Sequence, residues 1–296
     1  MNSVSGAHPP FGGDEAAAPF DEARVAVLPV PYEATVSYGG GTARGPEAIL
    51  SASTQVELYD EQLAAEPFKA GLYTDPMLDV SGTTEQVVSR IERRVGEMMD
   101  AGKWVVMLGG EHAITPGGVA AAVRRHPGLA VVQLDAHADL RQEYMGDRWS
   151  HAAAMARCLD HGVPLTAIGI RNYSVDEARW IRSGIPGYRI LHAWEMEHER
   201  WIDRALEGLD GKPVYLTIDL DYFDPAIIPA TGTPEPGGGA WWPTLRFLGS
   251  LIERANVVAC DVVELAPSAG LHHADFTAAR LIYKLIGMRG HSPFLK

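Results

Sequence analysis

Residues 131 to 140 read VVQLDAHADL, an apolar run that ends in Asp135, His137 and Asp139. Two carboxylates and an imidazole at spacing two are the raw material of a metal site. In extended backbone, side chains alternate in direction, so the three would project to one side at roughly 7 Å intervals. The pattern recurs in TIDLDYFDP, where Asp219 and Asp221 follow VYLTI at the same spacing, and WVVMLGG delivers His112 just past its end. A single Asp at a strand end is ordinarily a solvated loop residue or a helix cap, and DxD alone is a weak signal. The ordered conjunction of GGEH, DAHAD and DLDYFDP is much stronger.

Four carboxylates gathered at low dielectric would repel, and some would stay protonated unless cations intervened. Two divalent ions carry a matching positive charge, which motivates a binuclear site formed by His112, Asp135, His137, Asp139, Asp219 and Asp221. Carboxylate oxygen with a minority of imidazole nitrogen and no thiolate suits Mn²⁺, while the affinity order of divalent metals keeps Co²⁺, Ni²⁺ and Zn²⁺ as alternatives. Two bridged ions lower the pKa of a shared water toward neutrality and make hydroxide available.

These groups need rigid elements behind them. Short, continuously apolar runs at 24–30, 103–109, 129–135, 165–170, 188–193, 213–219 and 256–265 alternate with amphipathic segments. Continuous rather than alternating polarity predicts parallel strands covered on both faces. Helices are predicted at 46–59, opened by Pro46, and at 84–102, where Val87, Ile91, Val95 and Met98 are spaced by threes and fours and Gly102 is a stop. Further helices are expected near 115–126, 152–162, 175–183, 197–208, 243–254 and 274–287. The alternation gives an α/β domain on a mostly parallel sheet, and by pattern alone an open sheet and a closed barrel are equally good readings. Residues 1–22, rich in Gly, Pro and Ala, read as an arm on the surface or on a neighbouring subunit, and 23–296 as one domain. Loops 38–46 and 229–239 follow strands, where α/β sites form. Neither carries a phosphate-binding GxxxxGK[ST] pattern, and no GxGxxG turns from strand to helix.

With 25 Lys and Arg against 38 Asp and Glu, the net charge of -13 argues against nucleic acid or an anionic membrane as partner and favours a small cation. No run approaches the roughly 20 apolar residues that span a bilayer, and the N-terminus has no signal pattern, so a cytoplasmic location is expected. Cys158 and Cys260 lack metal spacing and read as reduced core side chains.

The chain resembles the ureohydrolases, which comprise arginase, agmatinase and their relatives. The matching pieces are GGEH (109–112), DAHAD (135–139), SHAA (150–153), DLDYFDP (219–225), TGTPEPGG (231–238) and VVELAP (262–267), with PYEATVSYGGGTARGPEAI (31–49) similar to the N-terminal loop and helix. The resemblance implies an open three-layer α/β/α sheet, two Mn²⁺ ions, and hydrolysis of a guanidinium group to urea and an amine by a metal-bridging hydroxide. It implies one ion on His112, Asp135, Asp139 and Asp221, and the other on Asp135, His137, Asp219 and Asp221. Asp139 would also accept a hydrogen bond from the hydroxide. His151 matches the proton shuttle and Glu264 the carboxylate that pairs with the guanidinium; Thr233, within TGTPEPGG, joins these two in binding substrate. Taken alone, His151 reads as a helix N-terminal residue and Glu264 as a solvent-facing loop residue. Family members are commonly trimers or hexamers, so a homo-oligomer is expected.

The chain departs from the family pattern in having GGEHA rather than GGDHS and His151-Ala152 rather than His-Gly. The loop LRQEYMGDRWS (140–150) lacks the Ser/Asn-rich segment with which arginases hold the α-amino and α-carboxylate groups, which argues against arginine. The expected substrate is agmatine, giving putrescine and urea. Alternatives are N1-aminopropylagmatine, guanidinobutyrate, arginine, guanidine or formiminoglutamate; a deacetylase would need only one zinc. A metal-binding regulatory protein is the non-enzymatic reading, against which His151 and Glu264 count.

Overall fold

The computed structural model describes residues 8–198 and 200–295. In chain order its elements are β1 (Val25–Val30), α1 (Gly45–Ser53), β2 (Leu72–Thr74), α2 (Thr84–Asp100), β3 (Trp104–Gly109), α3 (Thr115–Val123), β4 (Ala130–Leu134) and α4 (Ala154–Leu159). Then follow β5 (Leu165–Ile170), α5 (Val175–Arg182), β6 (Tyr188–His192), α6 (Trp201–Leu206), β7 (Pro213–Asp219), α7 (Trp241–Arg254), β8 (Asn256–Val263) and α8 (His272–Gly290). The strands form one sheet in the order β2-β1-β3-β8-β7-β4-β5-β6, every pairing parallel. The sheet has two edges, so it is open and the barrel is excluded.

Each strand contributes to two apolar layers, as its continuous run requires. Val25 and Val27 pack with Ile49, Leu245 and Leu281 beneath α1, α6, α7 and α8, whereas Ala26 and Leu28 pack with Val87, Ile91, Val119 and Met155 beneath α2, α3, α4 and α5. Helix α2 starts at a reciprocal cap between Thr83 and Gln86 and stops before Gly102, whose φ of 75° lies in the left-handed region.

Two elements differ from expectation. The helix predicted over 46–59 ends at Ser53, because the following residues turn to carry Asp60 and Glu61 to the side chain of Lys284 on α8 at 3.0 and 2.9 Å. Strand β2 escaped detection: it has three residues, and only Leu72 is buried. Residues 8–22 lie along it. Phe11 is buried and donates its N–H to Thr74 Oγ1, Ala17 bridges Leu72, and Gly12 N–H reaches Ser53 Oγ.

Because all strands run one way, their carboxyl ends share one rim. The four adjacent central strands β3, β8, β7 and β4 end beside His112, Glu264, Asp219 and Asp135 respectively. Residues as far apart in the sequence as His112 and Glu264 thus reach one place.

Candidate metal centre and active site

The six polar groups picked out by spacing are brought together. His112 Nδ1 lies 3.1 Å from Asp135 Oδ2, 3.0 Å from Asp139 Oδ2 and 3.4 Å from Asp219 Oδ2. His137 Nδ1 lies 2.9 Å from Asp221 Oδ2 and 3.7 Å from Asp135 Oδ1. Two clusters with metal-type geometry result, one of His112, Asp135 and Asp219, the other of Asp135, His137 and Asp221. The resemblance implies Asp221 with both histidines and Asp219 with His137 alone; here Asp219 lies beside His112 and Asp221 beside His137. Asp135 belongs to both.

The convergence is not produced by a continued strand. β4 stops at Leu134, and the next residues are bent by one local and one long-range bond: Asp135 Oδ1 accepts His137 N–H at 2.6 Å, and Asp221 Oδ1, from just past the end of β7, accepts Ala136 N–H at 3.0 Å. Asp139 then takes a φ of 51°, uncommon for a residue with a Cβ, and its carbonyl accepts the N–H groups of Met155 and Ala156 at the start of α4. Asp219 Oδ1 accepts Asp221 N–H at 2.9 Å, so that DLD pair is likewise turned rather than extended.

Hydrogen bonds below the cluster fix the tautomer of the neutral His112 ring. Asp261, fully buried, accepts hydroxyl protons from Thr217 at 2.6 Å, Tyr215 at 2.8 Å and Thr115 at 2.9 Å. Thr217 has spent its proton there, so its oxygen, 2.9 Å from His112 Nε2, accepts that ring N–H. The Nδ1 lone pair is left facing three carboxylates, buried and without a hydrogen-bond partner. A lone pair among oxygen lone pairs is repulsive, and a cation resolves it. The donor chemistry and this orphaned atom fit divalent ions.

Without a cation the cluster draws positive charge to itself: burial pulls the proton affinity of His112 down, but Asp135, Asp139 and Asp219 outweigh it and hold it well above its ordinary value, so a proton competes for the place that a metal would take. Burial, followed by the charges of Asp139 and Asp221, pushes the Asp135 carboxyl up to about 7. Burial and then Asp221 and Asp135 hold Asp219 well above the usual carboxylate range. Burial pulls the proton affinity of His137 down, but Asp221, Asp135 and Asp139 outweigh it and push it up to about 11.

Above the cluster lies a cavity of about 160 Å³. His137, Asp139, Asp219, Asp221, His151, Thr233 and Glu264 all line it. Glu264 is not the solvent-facing loop residue that it suggests in isolation. It follows β8 with a φ of 67°, and its Oε1 accepts His112 N–H at 2.6 Å. Burial, with Glu111 adding to it, holds this carboxyl well above its ordinary value. A guanidinium bound at two points would share Oε1 with that backbone bond.

His151 opens a short 3-10 turn after Ser150. Its Nδ1 is 2.9 Å from Thr35 Oγ1, its Nε2 is 2.9 Å from Ser37 Oγ, and its ring meets Tyr144 edge-on at 5.6 Å. Burial lowers its proton affinity, with His112, His137 and Arg141 lowering it further and Asp139 opposing. Thr35, Ser37, Glu111, Thr217 and Asp261 were not singled out from sequence. Asp261 offered a clue, a charge inside the apolar run NVVACDVV. The loop hydroxyls offered none. Cys158 and Cys260 are free and buried, as expected for core thiols.

A model described as "Arginase family" matches residues 23–287. The N(1)-aminopropylagmatine ureohydrolase of Synechocystis sp. is 41% identical over 291 residues, covering 95% of this chain and 94% of its own length. The agmatinase of Bacillus anthracis is 34% identical, with 87% and 88% covered. Among solved structures, the agmatine ureohydrolase of Thermoplasma volcanium superposes with a TM-score of 0.83 at 32% identity, covering 94% of this chain and 93% of that one.

Proposed function

The chain belongs to the arginase family, an amidinohydrolase of the ureohydrolase type, and from that premise we propose that it hydrolyses the guanidinium of agmatine or an agmatine-based amine. The observation that carries this reading is that Glu264, His151 and the carboxylate cluster line one cavity. The products are urea and, from agmatine, putrescine.

In this reading His112, Asp135, Asp139 and Asp219 surround one divalent ion, and Asp135, His137 and Asp221 the other, with Mn²⁺ the first choice and Co²⁺, Ni²⁺ or Zn²⁺ as substitutes. Two such ions, when bound, supply Lewis acidity that brings the pKa of coordinated water toward neutrality. The remaining work falls to the chain. Glu264 accepts guanidinium N–H groups and fixes the plane of the substrate, a charge-assisted contact that sets orientation. Thr233 lines the same wall. As the carbon–nitrogen bond breaks, the departing amine needs a proton, and His151 delivers it; an imidazole held near or below its ordinary pKa exchanges protons readily at neutral pH.

A longer substrate, N1-aminopropylagmatine, is the second reading. Relatives named for it are 32–41% identical to this chain. A further cavity of about 580 Å³, lined by Glu143, Asp176 and Trp180, shares Arg141, Ser174 and Glu177 with the catalytic cavity as a common wall. Its carboxylates, Glu143, Asp176 and Glu177, would attract the terminal ammonium of an aminopropyl tail that passed the shared wall, with Arg141 opposing.

Urea release from Mn²⁺-loaded protein across agmatine, N1-aminopropylagmatine, arginine, guanidinobutyrate and guanidine tests both. Preference for either agmatine-based amine supports the reading. Turnover confined to arginine or guanidinobutyrate refutes it.

A further inference from the structure

The N-terminal loop at 31–37 joins His151 to a carboxylate that no part of the reaction scheme uses. Glu111 is fully buried beside the metal cluster. Its Oε2 accepts the backbone N–H groups of Ala34 at 3.1 Å and Thr35 at 2.8 Å, and its Oε1 accepts the Thr35 hydroxyl at 2.8 Å. A hydroxyl has one proton to give. With that proton on Glu111, Thr35 Oγ1 turns its lone pairs toward His151, 3.1 Å from the backbone N–H and 2.9 Å from ring Nδ1. The second contact requires a proton on Nδ1. Nε2 then carries the lone pair, with the solvent-facing Ser37 hydroxyl 2.9 Å away as its donor.

We infer that Glu111 and Thr35 are positioning residues that lock His151 in its Nδ1–H tautomer, making Nε2 the only nitrogen that takes up and releases the catalytic proton. This rests on the reading of His151 as the proton donor to the departing amine. A proton reaching Nε2 from solvent through Ser37 gives the imidazolium, whose Nδ1–H stays on Thr35. Transfer of that same proton to the amine nitrogen restores the neutral ring. Tyr144 bounds the ring edge-on, and Asp139, His112, His137 and Arg141 are the charged or titratable groups that face it from the metal side and the mouth. None of these offers Nδ1 an acceptor in place of Thr35.

The test combines Thr35→Val, which keeps the shape and deletes the hydroxyl, with Thr35→Ser, which restores it. Thr35→Val is expected to lower kcat by about 10- to 100-fold, the range for losing a partner that orients a functional imidazole, with KM and metal content little changed. Thr35→Ser should recover most of the rate. Imidazole ¹⁵N shifts on Zn²⁺-loaded, diamagnetic protein, assigned by comparison with His151→Gln, should report Nδ1–H in the unchanged chain and a mixed population in Thr35→Val. An Nε2–H tautomer in the unchanged chain overturns the inference, as does wild-type kcat in Thr35→Val or equal damage from Thr35→Ser. The tautomer is read without turnover, so absence of urea release from every substrate would sink the functional reading while leaving this one to be judged by its spectrum.

Discussion

Asp261→Asn probes the logic of the metal centre without touching a ligand. The carboxylate takes three hydroxyl protons at 2.6, 2.8 and 2.9 Å, and an amide of the same shape has one acceptor and one donor end. If the amide nitrogen faces Tyr215 and Thr115, two buried O–H groups lose their acceptor. If it faces Thr217, that hydroxyl must accept from the amide and turn its own proton to His112 Nε2. The ring proton then moves to Nδ1, between Asp135, Asp139 and Asp219, the place proposed for one ion. The first arrangement costs about 1–3 kcal/mol per unsatisfied group. The second weakens metal binding by about 10- to 100-fold, equivalent to roughly 1.4–2.7 kcal/mol. The metal-free variant should therefore melt lower by on the order of 2–10 °C, and chelator competition should show weaker Mn²⁺ binding. Asp261→Asn with unchanged melting temperature and unchanged Mn²⁺ affinity would refute the hydrogen-bond argument; a lowered melting temperature with intact affinity would confine the network to structure.

Other perturbations separate the parts. Asp135→Ala should abolish urea release and strip both ions, because Asp135 belongs to both clusters, whereas Asp221→Ala should lose the ion beside His137 first; wild-type turnover and metal content in either variant would contradict the assignment. Arg141→Gln removes a cation that lowers the His151 proton affinity; because His151 must carry its proton to serve the departing amine, the limb of kcat/KM that falls as pH rises should move to higher pH, and an unmoved or downshifted limb would show that Arg141 does not act on His151. Lys284→Met leaves Asp60 buried without its partner and should destabilise by about 3–5 kcal/mol in a denaturant titration. Glu61 adds a pH signature. Its hydrogen bond from Lys284 lowers its pKa from 4.5 to about 2, so its stabilisation is complete above pH 4.5 and is lost as pH falls toward 2. Acid unfolding of Lys284→Met should lack that increment.

The sheet was legible because its strands are buried on both faces. Runs such as VVMLG and VYLTI have no polar alternation to mislead, and GGEH, DAHAD and DLDYFDP mark the rim at which they end. Strand β2 was lost because a pattern of three residues with one buried position carries no periodicity. The placement of Asp219 beside His112 differs from the division that the family resemblance implies, and its local cause is a turn: Asp219 Oδ1 caps Asp221 N–H, so the two carboxylates no longer share the face that an extended backbone would give them. Thr35, Ser37 and Glu111 act through contacts across 76 to 116 residues of separation, and a hydroxyl in a glycine-rich loop has no spacing that announces such a partner. Lys284 sits in a helical pattern where a lysine ordinarily faces water; its burial follows from the turn that places Asp60 opposite it.

Two carboxylate-bearing positions, Asp139 and Glu264, hold left-handed backbone at φ of 51° and 67°. Such geometry costs of order 1–3 kcal/mol for a residue with a side chain, and glycine would relieve it. Selection for robustness and selection for turnover therefore pull these two codons in opposite directions. A selection of random variants for melting temperature alone is therefore expected to enrich glycine at both positions, and, if the proposed roles of Asp139 and Glu264 hold, to do so at the expense of urea release.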